Sequence, residues 1–239
     1  MDIHIFLLCF NETALLPHVV HHYKKYLPSC HITIYDNEST DGSAELATSL
    51  GCQVVSWNSN NCIDDFKYQE IKNNCWKSVE QGWIIMADMD EFLCVTEEEL
   101  AYEKENNVSI LQVIGYEMIG ESRSLDLTDI DLQSIRKYNE HPYESKNLCF
   151  LREKITEMNY DCGAHHCKPI GTIQYSNKKY INKHMSSLGL VYLQNKHIQR
   201  FLRAANMRKK GMATHYMNNV AKIEQMYNTG LKNAKELNC

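Results

Sequence analysis

The chain has 239 residues, 44% apolar and 23% charged, with a net charge of −5. That composition is enough to bury a sizeable core and excludes global disorder. No stretch approaches the roughly 18 consecutive apolar residues that a membrane span requires, and no RNA-binding motif accompanies the acidic balance, so neither a membrane nor a nucleic acid is an expected partner.

Residues 1–150 carry 10 Lys/Arg against 25 Asp/Glu, and residues 151–239 carry 15 against 5. Two such halves either clamp a metal–diphosphate between them or simply attract each other as solvated surfaces. Ten cysteines are scattered without a CxxC pair, which suits reduced thiols better than a disulfide framework. The apolar run at Ile5–Phe10 has no basic region before it and no small-residue site after it, so it is not expected to be a signal peptide. A cytoplasmic location is the expectation.

In chain order, Ile3–Phe10 reads as a buried strand and Thr13–Tyr26 as a helix, with Thr13 as N-cap and Pro17 in its first turn. Ile32–Tyr35 reads as a second strand and Ala44–Leu50 as a short helix closed by Gly51. Gln53–Ser56 is a third strand, Asp65–Glu80 a longer helix and Trp83–Ala87 a fourth strand. Thr96 with Glu99 forms a capping box that opens a helix to about Glu105. Ser109–Tyr116 and Leu148–Arg152 read as strands around a polar loop, 120–147. Ile198–Lys210 and Val220–Leu231 read as helices. Strands separated by helices at this spacing predict an α/β fold with a mainly parallel sheet. A single domain is expected: a nucleotide-binding half (1–95), an acceptor-side half (96–195) and C-terminal helices (196–239).

Ligands of parallel sheets bind at the carboxyl ends of the strands, and three polar clusters fall there. Asp88-Met89-Asp90-Glu91 follows the fourth strand. In extended backbone Asp88 and Asp90 point to the same side, where their mutual repulsion is relieved by a hard cation such as Mn²⁺ or Mg²⁺ that in turn holds phosphate oxygens. A solvated acidic turn is the plainer alternative. Asp36 and Asn37 can accept hydrogen bonds from a ribose or a base N–H, and Phe10, Asn11 and Glu12 can edge a nucleobase. Asp41 reads as a turn residue. Neither GxGxxG nor GxxxxGK[ST] is present.

Phe10-Asn11-Glu12, the segment Tyr35–Ser43 and Ala87–Phe92 together resemble family 2-type GT-A glycosyltransferases. The phrases MADMDEF and NKHIQRFLRAANMRKKG are most similar to the compact branch related to family 92, the former domain of unknown function 23. The resemblance implies a GT-A fold with a Rossmann-like central sheet. It implies a UDP- or GDP-type nucleotide-diphosphate-sugar donor, a glycan or other hydroxyl acceptor, and a metal held by Asp88 and Asp90. It places the donor against Phe10, Asn11, Glu12, Asp36, Asn37 and Asp88, with Gln69 and Asn73 facing it. It puts His197 beside the metal or diphosphate, where Ile198 follows instead of the family's aromatic; an ordinary surface or helix-capping histidine is the plainer alternative. Lys196, Arg200 and Arg203 add charge against phosphate or are simply a solvated helix face. Inversion by direct displacement, also implied, needs a base. Glu121, with Asp126 behind it, is the expectation, and a retaining enzyme would need neither.

Cys162, His165, His166 and Cys167 are spaced too tightly for a usual zinc site; His165 or His166 lining the acceptor site, or plain packing, fits better. Two other functions remain open. A DxDxT-type phosphatase would use Asp88 as nucleophile, but Phe92 stands where Thr or Val belongs. A degenerate domain would bind sugar nucleotide or glycan without turnover.

Overall fold

The computed structural model describes residues 1–237. Its strands are β1 (Ile3–Cys9), β2 (Cys30–Asp36), β3 (Gln53–Ser56), β4 (Trp83–Asp88), β5 (Glu91–Cys94), β6 (Ile110–Ile119), β7 (Lys137–Glu140), β8 (Cys149–Leu151), β9 (Ile155–Glu157), β10 (Ile170–Gly171), β11 (Tyr175–Ser187) and β12 (Lys235–Glu236). Its helices are α1 (Leu16–Tyr26), α2 (Ser43–Ser49), α3 (Asp65–Asn74), α4 (Glu97–Glu105), α5 (Leu190–Arg203), α6 (Ala205–Lys209) and α7 (Val220–Asn233). The main sheet runs β12-β7-β6-β8-β4-β1-β2-β3, with β11 parallel to β6 and β5 antiparallel to β11. The fold is therefore mixed α/β with a mostly parallel central sheet and flanking helices, as expected.

β1 shows why the sheet is central. Ile3, Ile5, Leu7 and Cys9 enter one core, while Phe6 and Leu8 enter the other. Both faces are covered, as in a strand flanked by parallel neighbours; β2 and β4 pair with it in parallel register. On the first face α1 buries Leu16, Val19, Val20 and Tyr23, the i, i+3, i+4, i+7 stripe of an amphipathic helix. On the second, Trp76 packs edge-on against Phe150, with centroids 4.9 Å apart.

α1 also fixes the turn beyond β4. The Tyr23 hydroxyl donates to the Glu91 carbonyl (2.9 Å), and His22 Nε2 donates to the Leu93 carbonyl (2.9 Å) while its Nδ1 accepts from Gln133. Burial pushes the His22 pKa down to about 4, so the ring is neutral.

Several boundaries differ from expectation. Thr13 does not cap α1: its amide and hydroxyl donate to Asp41 (3.1 and 3.0 Å), and the helix starts after Leu15 with no side-chain cap. α3 gives way at Asn74 to a 3₁₀ turn, Cys75–Ser78, instead of running to Glu80. The Asn73 and Asn74 amides donate to the carbonyls four residues back, a local bond that competes with the helix ladder. Thr96 and Glu99 do form the capping box. The loop 120–147 is anchored: it buries Leu127 and Leu132 in the first core and contributes β7. Strand β11 is absent from the sequence reading because its buried positions include Ser176 and Asn182 rather than apolar residues alone.

Candidate functional site

A cleft of about 820 Å³ opens at the carboxyl ends of β1, β4 and β6. On one wall stands the turn Asp88–Asp90; facing it is α5, which presents Lys196, Arg200 and Arg203. Spacings of four and three residues put those cations on one helical face. The two wall groups meet across the gap: Lys196 Nζ is paired with Asp90 Oδ2, and Arg200 Nη2 lies 3.5 Å from the same oxygen.

The aspartates do not share a cation. Asp88 Oδ1 accepts from Lys72 Nζ at 2.8 Å, with Lys146 Nζ 3.6 Å from its other oxygen. Asp90 faces Lys196, Arg200 and His184, whose Nε2 is 3.4 Å away. Burial opposes ionisation of both carboxyls, yet their cations hold them below the usual range: Lys72 and Lys146 bring Asp88 to about 2, and Lys196 and His184 hold Asp90 well down. His184 is the link to β6, because its Nδ1 pairs with Glu117, which also accepts from the Ser186 hydroxyl (2.5 Å). Burial disfavours the imidazolium, but Glu117 and Asp90 outweigh it and raise the His184 pKa well above its ordinary value.

Lys146 is the second buried hub. It reaches Glu91 at 2.8 Å and Glu144 at 3.0 Å. Glu91 in turn accepts the backbone N–H of Asp88 (2.7 Å).

The expected metal site does not fit a divalent ion in this arrangement. Each aspartate is already neutralised by ammonium groups that are themselves nearly buried, and among the described residues no cluster of three or more His, Cys, Asp or Glu is placed to hold a metal. A doubly charged ion 4 Å from an ammonium is opposed by roughly 8 kcal/mol at an effective dielectric constant of about 20. His197 lines the cleft, but its Nδ1 accepts from the Met217 amide (3.4 Å). Burial and then Arg200 push its pKa down to about 4. The repulsion that suggested a metal from sequence is relieved here by lysines.

Of the expected donor residues, the cleft brings together Phe10, Glu12, Asp88, Asp90 and His197. Arg203 lies face-on over Phe10, its guanidinium carbon 3.2 Å from the ring centroid. Its buried Nε has no hydrogen-bond partner, and no carboxylate among the described residues pairs with it. Burial pushes Glu12 up to about 7, against the pull of Lys196 and Arg200.

The remaining expected residues support the wall from behind or lie elsewhere. Asn11, at φ 53°, is exposed and accepts from Thr40 N (2.8 Å). Asp36 is buried and accepts from Ser39 N (3.0 Å), leaving its Oδ1 unpartnered. The Asn37 amide is closed by two bonds to Ser59 (2.8 and 2.9 Å). Gln69 and Asn73 both donate to the Tyr160 carbonyl (2.8 and 3.1 Å), so they fasten the segment before Cys162 rather than face the cleft. Glu121 is exposed and paired with Lys137, and Asp126 is exposed and closed onto Thr128. Neither lines the cleft; Glu117, at the other end of the same stretch, does. His165 lines the cleft with its Nδ1 toward the Tyr143 carbonyl (2.8 Å), whereas His166 does not. Lys72, Lys146, Glu117 and His184 carry no signal in the sequence reading. Two are lysines buried against usual habit, and His184 sits on the unread strand β11.

Comparison with known proteins gives limited matches. No family model matches the chain. Over 55 residues it is 33% identical to the protein RfbJ of Shigella flexneri, a stretch covering 23% of this chain and 43% of RfbJ. Residues 1–349 of S. aureus TarS in complex with UDP align with a TM-score of 0.49 at 11% identity, covering 97% of this chain and 71% of that one. A longer TarS chain gives 0.46 at 11% identity, covering 97% and 43%. Glucosyl-3-phosphoglycerate synthase from Mycobacterium tuberculosis, in complex with Mn²⁺, UDP and glucosyl-3-phosphoglycerate, gives 0.33 at 14% identity, covering 48% and 44%. The matched chain spans less than half the length of RfbJ and of the longer TarS chain. Nothing in these matches supports the narrower family 92 branch. Among the described residues no helix is long and apolar enough to cross a membrane.

Proposed function

We propose that this protein is a family 2-like, GT-A-type glycosyltransferase, moving a hexosyl or deoxyhexosyl group from a UDP- or GDP-type sugar to a hydroxyl acceptor such as a glycan. The observation that carries this reading is the basic face of α5 standing across a cleft from the turn after β4. Arg203 is a cation over an aromatic ring with no carboxylate partner among the described residues. Such a group is suited to a phosphate or a base edge. Phe10 and Glu12 border the nucleotide, while Lys196 and Arg200 meet the diphosphate.

In the reaction the bond between the anomeric carbon and the β-phosphate oxygen breaks, and its electron pair leaves on the phosphate. The acceptor oxygen bonds to the anomeric carbon and gives its proton to a base. Cations already in place around the leaving oxygen stabilise the developing charge without reorganising. We assign the base to Glu117, in place of Glu121 or Asp126, because it is a cleft-lining carboxylate and is held ionised: burial is outweighed by His184, which keeps its pKa below the ordinary value. Inversion is part of the same proposal.

A phosphatase of the DxDxT kind fits poorly. Asp88, its nucleophile, is bound to Lys72, and Phe92, the fifth position, is fully buried in the first core. The test is a panel of nucleotide sugars with mixed glycan acceptors, reading nucleotide release and thermal shift. A selective rise in melting temperature with turnover supports the transferase. A rise without turnover on any acceptor points to a binding module. Phosphomonoester hydrolysis without any nucleotide-sugar effect overturns the proposal.

A further inference from the structure

We infer that Lys72 and Lys196 occupy the place of a divalent metal in this cleft, so that a nucleoside diphosphate binds here without one. The inference rests on the transferase reading above. Asp88 and Asp90 stand where a D-x-D motif would share a metal, but their partners form two separate sets: Lys72 and Lys146 on one, Lys196, His184 and Arg200 on the other.

Burial makes this more than a surface pairing. The side chains of Lys72 and Lys146 are 5% and 4% exposed, and that of Lys196 is 10%. An ammonium so far from water depends on its carboxylates, and a carboxylate stripped of its ammonium is equally costly. A metal binding Asp88 and Asp90 together would have to expel cations from both sides of the turn, and each would lose the carboxylate it is paired with. Lys72 has no other carboxylate partner among the described residues, nor has Lys196. Lys196 and Arg200 lie on the cleft wall with Arg203, so the charges that satisfy Asp90 also line the space a diphosphate would enter. A phosphate approaching them adds to an existing ion network instead of displacing it.

Titration calorimetry of the full chain with UDP and GDP, in excess EDTA and then with Mn²⁺ or Mg²⁺, tests this. The expected affinity for the preferred nucleotide changes by less than about threefold between the two conditions, and Mn²⁺ alone shows no stoichiometric binding by paramagnetic resonance. Binding at least about tenfold tighter with metal, or stoichiometric Mn²⁺ on the nucleotide-free protein, overturns the inference and leaves the transferase reading standing. If neither diphosphate binds with or without metal, both fail. Lys196→Ala supplies the positive arm. It is expected to weaken metal-free nucleotide binding about tenfold or more and to make binding respond to Mn²⁺, because Asp90 then loses its nearest cation and keeps only His184 at 3.4 Å and Arg200 at 3.5 Å. Metal-free affinity unchanged in a variant with native circular dichroism overturns the role of Lys196.

Discussion

Lys72 Nζ lies 2.8 Å from Asp88 Oδ1, the ammonium buried beneath a carboxylate that is one-third exposed to the cleft. The pair ties α3 to the end of β4. Lys72→Met would leave Asp88 with Lys146 at 3.6 Å. Removing one partner of a fully buried pair costs about 3–5 kcal/mol, and the exposure of Asp88 lowers the expectation here to about 1–3 kcal/mol. Urea denaturation reads the loss. Unchanged stability would mean that the pair contributes nothing to the fold.

The stacking of Arg203 on Phe10 makes a different prediction. Arg203→Lys keeps the charge and loses the planar contact, whereas Arg203→Ala loses both. Nucleotide affinity should fall by about threefold in the first and by about tenfold or more in the second, with Phe10→Ala close to the first. Calorimetric titration of UDP and GDP separates the three. Equal losses in Arg203→Lys and Arg203→Ala would show that charge plays no part.

Glu12 sets a pH dependence for binding. Its pKa stands near 7, raised by burial from 4.5. A diphosphate brought beside it raises the pKa further, so binding takes up protons. Affinity should therefore decline as pH rises through about 7, and Glu12→Gln should flatten the profile. The same affinity-versus-pH slope in wild type and Glu12→Gln would remove Glu12 as the cause.

His22 governs stability at lower pH. Its pKa is depressed from 6.5 to about 4 by burial. The unfolded chain thus binds a proton between those values that the native state does not. This contribution is present in full above about 6.5 and is lost as pH falls toward 4, amounting to about 3 kcal/mol at the lower limit. Glu12 titrates with the opposite sign between 4.5 and 7, so the comparison must be made within one background. His22→Gln should lose less stability than wild type between pH 7 and pH 4.5. An identical loss would assign the acid transition elsewhere.

Gly115 allows β6 to pass against the segment before Lys146. A Cβ there would come within 2.4 Å of the Glu144 carbonyl carbon. Gly115→Ala must push this segment outward and move Glu144 and Lys146 from the buried network. A loss of about 1–3 kcal/mol is expected, as for an overpacked core, together with weaker nucleotide binding. Wild-type stability and affinity would show that the segment yields freely.

The first half of the chain was readable because its signals are local. β1 and β4 announce themselves as short apolar runs, the Thr96–Glu99 box marks α4, and Pro17 falls in the first turn of α1. The second half hides its pattern. β11 places Asn182 fully buried, with its amide toward Glu91 and the Glu144 carbonyl (3.4 and 3.3 Å). A strand stabilised by such long-range polar contacts shows no alternation of apolar residues. The α3 boundary failed for the same kind of reason: helix propensity says nothing about asparagines that bond backward, or of a tryptophan turned into the core.

By itself the sequence determined that a parallel α/β sheet carries acidic residues to the carboxyl end of its fourth strand, because periodicity and strand length are properties of neighbours along the chain. Which charges those acids meet was decided only in three dimensions. Lys72, Lys146, His184 and Lys196 come from four separate elements or segments, and their ion pairs with Asp88 and Asp90 span 16 to 106 positions. A carboxylate pair reads as a metal site until packing brings ammonium groups against it, since Coulomb energy depends on distance in space and not on separation along the chain.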